Sequence, residues 1–278
     1  MRNVFVILFV LLVSVAAQAA ILHVGTGQTY TTIQGAVNAA GTGDEVIIHA
    51  GVYTETVSLV DKNNMIIRAN IGDKAVVRGT FSFWNPSSAT WSDNNLIKGL
   101  YFDRTGFTGG WATTHQYSRN NTYENVVFYG DNSGSGGIYG YCEYGLNTAR
   151  NSTFYRVMYP SEGGYASGLH VFDSIVAFSG GSAGSNSNGA TVQYSDYYMN
   201  PAGSEMPSNI SNTTGNINLD PLFYSTNPAS PYFLWLSLSS PANNADGQGT
   251  NMGALPTIPE PVTIMLLGLG ALALRKRS

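Results

Sequence analysis

Three carboxylates and two guanidinium groups are the residues of this chain best placed to do chemistry. Aligning a short strand motif that recurs along the chain brings Thr105, Asp131, Glu162 and Gly180 to one equivalent position. Asp131 and Glu162 then fall on neighbouring turns at the mouth of a loop, with Asp103 close by. Carboxylates at inter-strand distance repel unless they share a proton or a cation, and an oxygen-rich site of this kind suits Ca2+. With Arg104 or Arg150 as base or as partner of a sugar carboxylate, the set forms a Ca2+-assisted polysaccharide site. The plainer alternative is a group of solvated loop carboxylates in another register. Trp84, Trp91 and Trp111 lie in loop-like segments of an aromatic-rich stretch between Phe81 and Tyr129. Exposed rings on a rigid β face stack against the apolar C–H faces of sugars, although an interior stack uses the same residue types. His115 and His170 read as structural rather than as bases.

The elements that must position these residues are short strands. Gly99-Leu100-Tyr101-Phe102, Asn125-Val126-Val127-Phe128, Arg156-Val157-Met158-Tyr159, Ser174-Ile175-Val176-Ala177 and Ser195-Asp196-Tyr197-Tyr198 look like one strand seen five times, at offsets of 26, 31, 18 and 21 residues. Each is followed by a polar loop rich in Gly or Asn. A drifting period of short strands and tight turns is a solenoid signature. A β-sandwich does not repeat one strand at such spacing. One helix is expected in the body: Thr31 or Thr32 caps it, Ile33, Ala36, Val37 and Ala40 share one face, and Gly41-Thr42-Gly43 ends it.

Composition agrees with an all-β body. Only 11% of residues are charged, while 32 are Gly and 17 are Tyr, a mixture of β-formers and turn-formers. Residues 20–258 hold nine Lys and Arg against sixteen Asp and Glu, a net −7. That balance disfavours nucleic acid or anionic lipid as partner. Cys142 is the only cysteine, so no disulfide forms within the chain and the thiol reads as a small buried hydrophobe.

Both ends carry targeting features. Met1-Arg2-Asn3, an apolar run from Val4 to Val15 and Ala17-Gln18-Ala19 have the order of a signal peptide, residues 1–19. At the other end Pro259-Glu260-Pro261 precedes an apolar run from Val262 to Leu274, which precedes Arg275-Lys276-Arg277-Ser278. The run is 13 residues long, whereas a stable membrane span needs about 20. It serves a temporary insertion with its basic end in the cytoplasm. The three parts resemble the PEP-CTERM sorting signal, taken here as residues 256–278. The resemblance implies processing by an exosortase and delivery to the cell surface or matrix of a Gram-negative-type bacterium.

Residues 20–255 carry a second resemblance. Tyr30-Thr31-Thr32-Ile33-Gln34, Gly43-Asp44-Glu45-Val46 and Gly51-Val52-Tyr53-Thr54-Glu55, with the closing Asp220-Pro221-Leu222-Phe223 and Ser240-Pro241-Ala242, resemble right-handed parallel β-helix proteins of the pectate-lyase-like group. The resemblance implies a single-stranded right-handed parallel β-helix whose short helix caps one end, with the irregular region after Pro201 closing the other. The sequence lacks the paired-Asp hydrolase motif, the esterase Gln-Asp pair and the Arg-rich lyase strand of the enzymes of that group. The expected function is therefore contact with extracellular polysaccharide without catalysis and with no required cofactor. A divergent lyase or glycoside hydrolase, or a structural spacer of the matrix, are the alternatives.

Overall fold

The computed structural model describes residues 18–84, 91–141, 147–163, 169–180, 191–200 and 213–258. The N-terminal run expected to be a signal peptide, up to residue 17, lies outside the described residues with Cys142 and the Pro259–Ser278 tail, as do the side chains of residues 141 and 160–163.

Parallel ladders dominate the molecule. The chain passes repeatedly from sheet A to sheet B to sheet C, and each strand hydrogen-bonds to its counterpart one turn on. Sheet A has eight strands, beginning with Ile21–Val24 and Glu45–Ile48 and ending with Val192–Gln193. Sheet B has seven, including Tyr101–Asp103, Val127–Tyr129, Thr153–Tyr155, Ile175–Ala177 and Asp196–Tyr198. Sheet C has five: Val57–Ser58, Phe81–Trp84, Trp111–Gln116, Gly136–Tyr141 and Tyr159–Gly163. Every named pairing is parallel, so the body is a parallel β-helix. The helix Ile33–Ala39 is capped by Thr32 Oγ1, which accepts from Gly35 N–H at 3.1 Å, and it buries Ile33, Ala36 and Val37 against the first turn.

The bend between sheets A and B sets the repeat. Gly99, Asn125, Asn151, Asp173 and Tyr194 occupy it, all with positive φ between 44° and 69°. Glycine meets no steric penalty there, and Asn and Asp tolerate it better than other residues. The next residue turns inward. Its backbone is tied across turns by a hydroxyl ladder: Ser152, Ser174 and Ser195 N–H donate to Ser174 Oγ, Ser195 Oγ and Asn216 Oδ1 respectively.

The bend also corrects the motif alignment. The third copy of the strand is Thr153–Tyr155, which pairs residue for residue with Val127–Tyr129, and Arg156 to Met158 form the loop after it. Starting that copy at Arg156 rather than Asn151 shifts the positions counted from it, Glu162 among them, by five residues. The last two copies begin at Asp173 and Tyr194, one residue before the motif set them, so the true spacing from Gly99 onward is 26, 26, 22 and 21 residues.

Inside, identical groups stack along the axis. Phe102, Phe128 and Phe154 lie face to face, with ring centroids 5.1 and 4.7 Å apart and planes within 10°. At the corner between sheets C and A, buried Asn95, Asn121 and Asn147 form an amide ladder. Asn95 Nδ2 donates to Asn121 Oδ1 at 2.9 Å, and Asn121 Nδ2 to Asn147 Oδ1 at 3.2 Å. The same oxygens accept the backbone N–H groups of Asn95 and Asn121. Stacked amides satisfy one another only at the rung spacing of about 4.8 Å.

The three outer faces differ. Sheet A presents a charged row in which Arg68 pairs with Glu45 and Lys98 with Glu124, each at 2.5 Å. Sheet B is covered. Ile217 adds one bridge on Asp196 at the far end, and the chain then returns along the face of the sheet. Phe233 and Leu234 pack on Val127 and Tyr129, and Leu236, Ala242 and Met252 pack on Ile175 and Ala177. The irregular C-terminal segment is thus mainly a cover for sheet B rather than an end cap. Its placement follows from the apolar outer row it shields. A groove of about 940 Å3 runs between this cover and sheet A, lined by Arg68, Lys74, Lys98, Tyr101 and Trp235 among others.

Replacing Asn121 by Ala removes the acceptor of two buried N–H donors and the donor to Ser92 O. Each buried group left unsatisfied costs about 1–3 kcal/mol, so the variant is expected to lose about 3 kcal/mol in denaturant titration. A loss below about 1 kcal/mol would show that the amide ladder does not hold the corner.

Candidate functional site

The carboxylates singled out from the sequence are held apart by the register. Asp131 lies in the loop after Val127–Tyr129, where its oxygens accept the N–H groups of Ser133 and Gly106 at 3.1 and 2.9 Å. These hydrogen bonds, that of Ser133 foremost, hold its carboxyl below the usual range. Asp103 accepts the Thr105 N–H at 2.9 Å and faces Arg78 at 3.6 Å. Glu162 belongs to sheet C, in register with Tyr139 and eight residues beyond the Asp131 position. The five-residue shift at Arg156 is the reason counting had placed it opposite Asp131. Among the described residues no three His, Cys, Asp or Glu side chains converge on a common point.

Arg104 is a clamp. It is 2% exposed, and its guanidinium donates to Ser135 Oγ at 2.5 Å, Gly79 O at 3.0 Å and Gly109 O at 3.1 Å, over the Phe107 ring at 4.1 Å. It therefore ties the loops of successive turns. Burial lowers its pKa to about 10 against the pull of Asp103, so the group is a cation at neutral pH and serves as no base. Arg150 lies exposed at the end of the sheet A strand Asn147–Arg150, in register with Glu124 and away from Asp131.

What the fold does gather is aromatic. On the outer face of sheet C, Trp84 lies 6.2 Å from Tyr139 with planes 17° apart. Trp111 lies 5.1 Å from Tyr139 and 6.0 Å from Tyr159. Four rings from four different strands thus form one ridge, with Trp84 39% and Tyr159 37% exposed. In a parallel stack, rings standing upright show only their edges, so a flat ring needs special room. Gly136 provides it: in register with Trp111, it would place a Cβ 2.1 Å from the indole Cε3 and Cζ3 atoms. The indole therefore lies over bare backbone. Ser82, Thr114 and Gln116 share this face as polar neighbours.

Two of the three sequence-selected tryptophans belong to the ridge. Trp91 does not: it sits in the bend between sheets C and A, edge-on to Tyr117 and under the Arg119 guanidinium at 4.7 Å. Tyr139 and Tyr159 were missed because the strand motif found in the sequence is that of sheet B. Sheet C has no constant bend residue to announce it. Gly136-Gly137 before Ile138-Tyr139 was the available signal.

His115 is structural, as expected. It is fully buried, stacked on Phe83 at 4.6 Å, with Ser118 Oγ at 2.7 Å and Tyr123 Oη at 2.6 Å from its two nitrogens. His170 Nδ1 accepts the Thr191 N–H at 3.1 Å across the next rung.

No family model matches the chain, and no curated protein does. Among solved structures it is similar to a pectin methylesterase from Aspergillus niger in penultimately deglycosylated form, at 16% identity and TM-score 0.37 over 73% of this chain and 87% of that one. It is also similar to a pectate lyase, at 14% identity and TM-score 0.32 over 87% and 97%. The deglycosylated form of the methylesterase gives 12% identity and TM-score 0.31. The parallel β-helix rests on the ladders described above, and no activity is carried over from these enzymes.

Two buried groups give opposite pH dependences. Burial pushes the His115 imidazole down to about 3, below its ordinary 6.5, so stability is lost as pH falls from 6.5 toward 3. Burial pushes the Asp196 carboxyl up to about 7, helped by Asp220 and opposed by the Leu219 N–H, so stability is lost as pH rises from 3.8 toward 7. Each pH unit crossed is worth about 1.4 kcal/mol per group. Between pH 4 and 6.5 the two contributions oppose and nearly cancel, so thermal unfolding of the wild type is expected to show little slope from this pair, whereas His115→Phe should lose stability as pH rises and Asp196→Val should lose it as pH falls. Unchanged slopes in both variants would refute these assignments.

Proposed function

We propose that this protein is exported and displayed at the cell surface or in the extracellular matrix, where it holds polysaccharide on the ridge of Trp84, Trp111, Tyr139 and Tyr159. The observation that carries the reading is Trp111 laid flat over Gly136 at the centre of a group of partly exposed rings. Rings on a rigid scaffold bind sugars at low entropic cost because nothing need be ordered on binding. Sheet B is covered by the C-terminal segment, and on sheet A Arg68 and Lys98 are paired with carboxylates, which favours sheet C as the working face.

The test is affinity electrophoresis or calorimetry of the purified protein against a polysaccharide panel, with product analysis in parallel. Binding is expected to weaken at least about tenfold in Trp111→Ala and in Gly136→Ala, which lifts the indole. No reducing-end or unsaturated product is expected. Retention that ignores both substitutions would remove the ridge from consideration, and product release would replace binding by catalysis.

The targeting proposal rests on the Pro259-Glu260-Pro261 and Arg275-Lys276-Arg277 pattern. Mass spectrometry of the protein from its own cell surface should find a chain that begins near Ala20 and lacks the Arg275–Ser278 end. An intact terminus on surface-exposed protein would rule out exosortase processing.

A further inference from the structure

We infer that the ridge takes an uncharged glycan, a polymer of neutral sugars, and discriminates against polyuronates. The inference rests on the ridge being the glycan site, and it adds the chemical class. A sugar stacked on an indole loses water from the groups around its ring, so those groups need partners on the protein. Hydroxyls can find theirs on sheet C, where Ser82, Thr114 and Gln116 occupy the outer positions between the rings. A carboxylate needs a cation or several converging N–H groups.

The strands that carry the ridge supply no cation. All nine Lys and Arg of residues 20–258 lie in the described part of the chain, and none stands on a strand of sheet C. Lys62 donates to Ala40 O at 2.6 Å and Lys74 to Pro228 O at 2.7 Å. Arg68 and Lys98 pair with carboxylates on sheet A. Three more are committed elsewhere: Arg78 to Asp103, Arg119 to Asp93 at 2.8 Å, and buried Arg104 to its three acceptors. Arg150 and Arg156 are exposed but stand off the sheet C strands, Arg150 at the end of a sheet A strand and Arg156 in the loop between Tyr155 and Tyr159. The one ionisable residue that the register adds to the row of Ser82, Thr114 and Tyr139 is Glu162, an acid. The body as a whole carries a net −7, so a polyanion is repelled before it reaches the rings.

The experiment is calorimetric titration of the whole protein, at low ionic strength, with neutral hexasaccharides (cello-, laminari-, manno- and xylohexaose) and with hexagalacturonate. The wild type is compared with Trp111→Ala, Trp84→Ala and Thr114→Lys. At least one neutral hexasaccharide should bind in a manner that both tryptophan substitutions weaken, and hexagalacturonate should bind the ridge at least about tenfold more weakly. Thr114→Lys, which sets a cation between the rings, should narrow that gap. Uronate binding untouched by the tryptophan substitutions lies off the ridge and agrees with the inference when neutral binding is ring-dependent. Hexagalacturonate bound as tightly as any neutral sugar, with affinity lost in Trp111→Ala, would overturn the neutral preference while leaving the ridge as the site. Ring-independent binding of every sugar would overturn the ridge itself.

Discussion

Register between successive turns is the constraint on which everything else in this molecule depends. A parallel stack pairs each residue with its counterpart one turn later, so a polar or aromatic residue is placed by its neighbours above and below. The positive-φ bend at Gly99, Asn125, Asn151, Asp173 and Tyr194 keeps that count. The amide ladder Asn95–Asn121–Asn147 and the hydroxyl ladder from Ser152 to Ser195 then lock it from inside. Each ladder works only when identical groups meet at the rung distance, which makes a slip of one residue costly at several positions together.

The same constraint distributes chemistry among three faces. Sheet A carries charges of both signs, two of its cations paired with carboxylates. Sheet B would expose an apolar row including Val127 and Ile175, and the returning segment with Phe233, Leu236 and Met252 buries it. Sheet C carries rings whose lateral neighbours are hydroxyl and amide side chains. The buried cation Arg104 and the loop acids Asp103 and Asp131 serve the same scaffold, since their hydrogen bonds go to backbone groups of the turns they join.

Much of the architecture was legible because it depends on local chemistry. The helix at Ile33–Ala39 announced itself through its apolar spacing and Thr32 cap. Four of the five strand copies lie in sheet B, the first two in register because Gly99 and Asn125 mark the bend, the last two one residue late because Asp173 and Tyr194 leave no such mark. The copy at Arg156 failed because Asn151 begins the bend there while Arg156, also at positive φ, opens the following loop. Two positive-φ residues five apart carry no label saying which one restarts the repeat. That single shift put Glu162 opposite Asp131.

The sequence by itself determined that the body winds as a β-solenoid, that one short helix closes its first turn, and that residues 20–258 are acidic with a single cysteine. These follow from periodicity, turn chemistry and charge, which are properties of the chain read in order. Only the tertiary structure decided which residues share a face. Trp84, Trp111, Tyr139 and Tyr159 are separated by loops of unequal length, and a ring lies flat only where the next turn offers a glycine. Such a meeting depends on the summed length of every loop between, a quantity that no local pattern fixes.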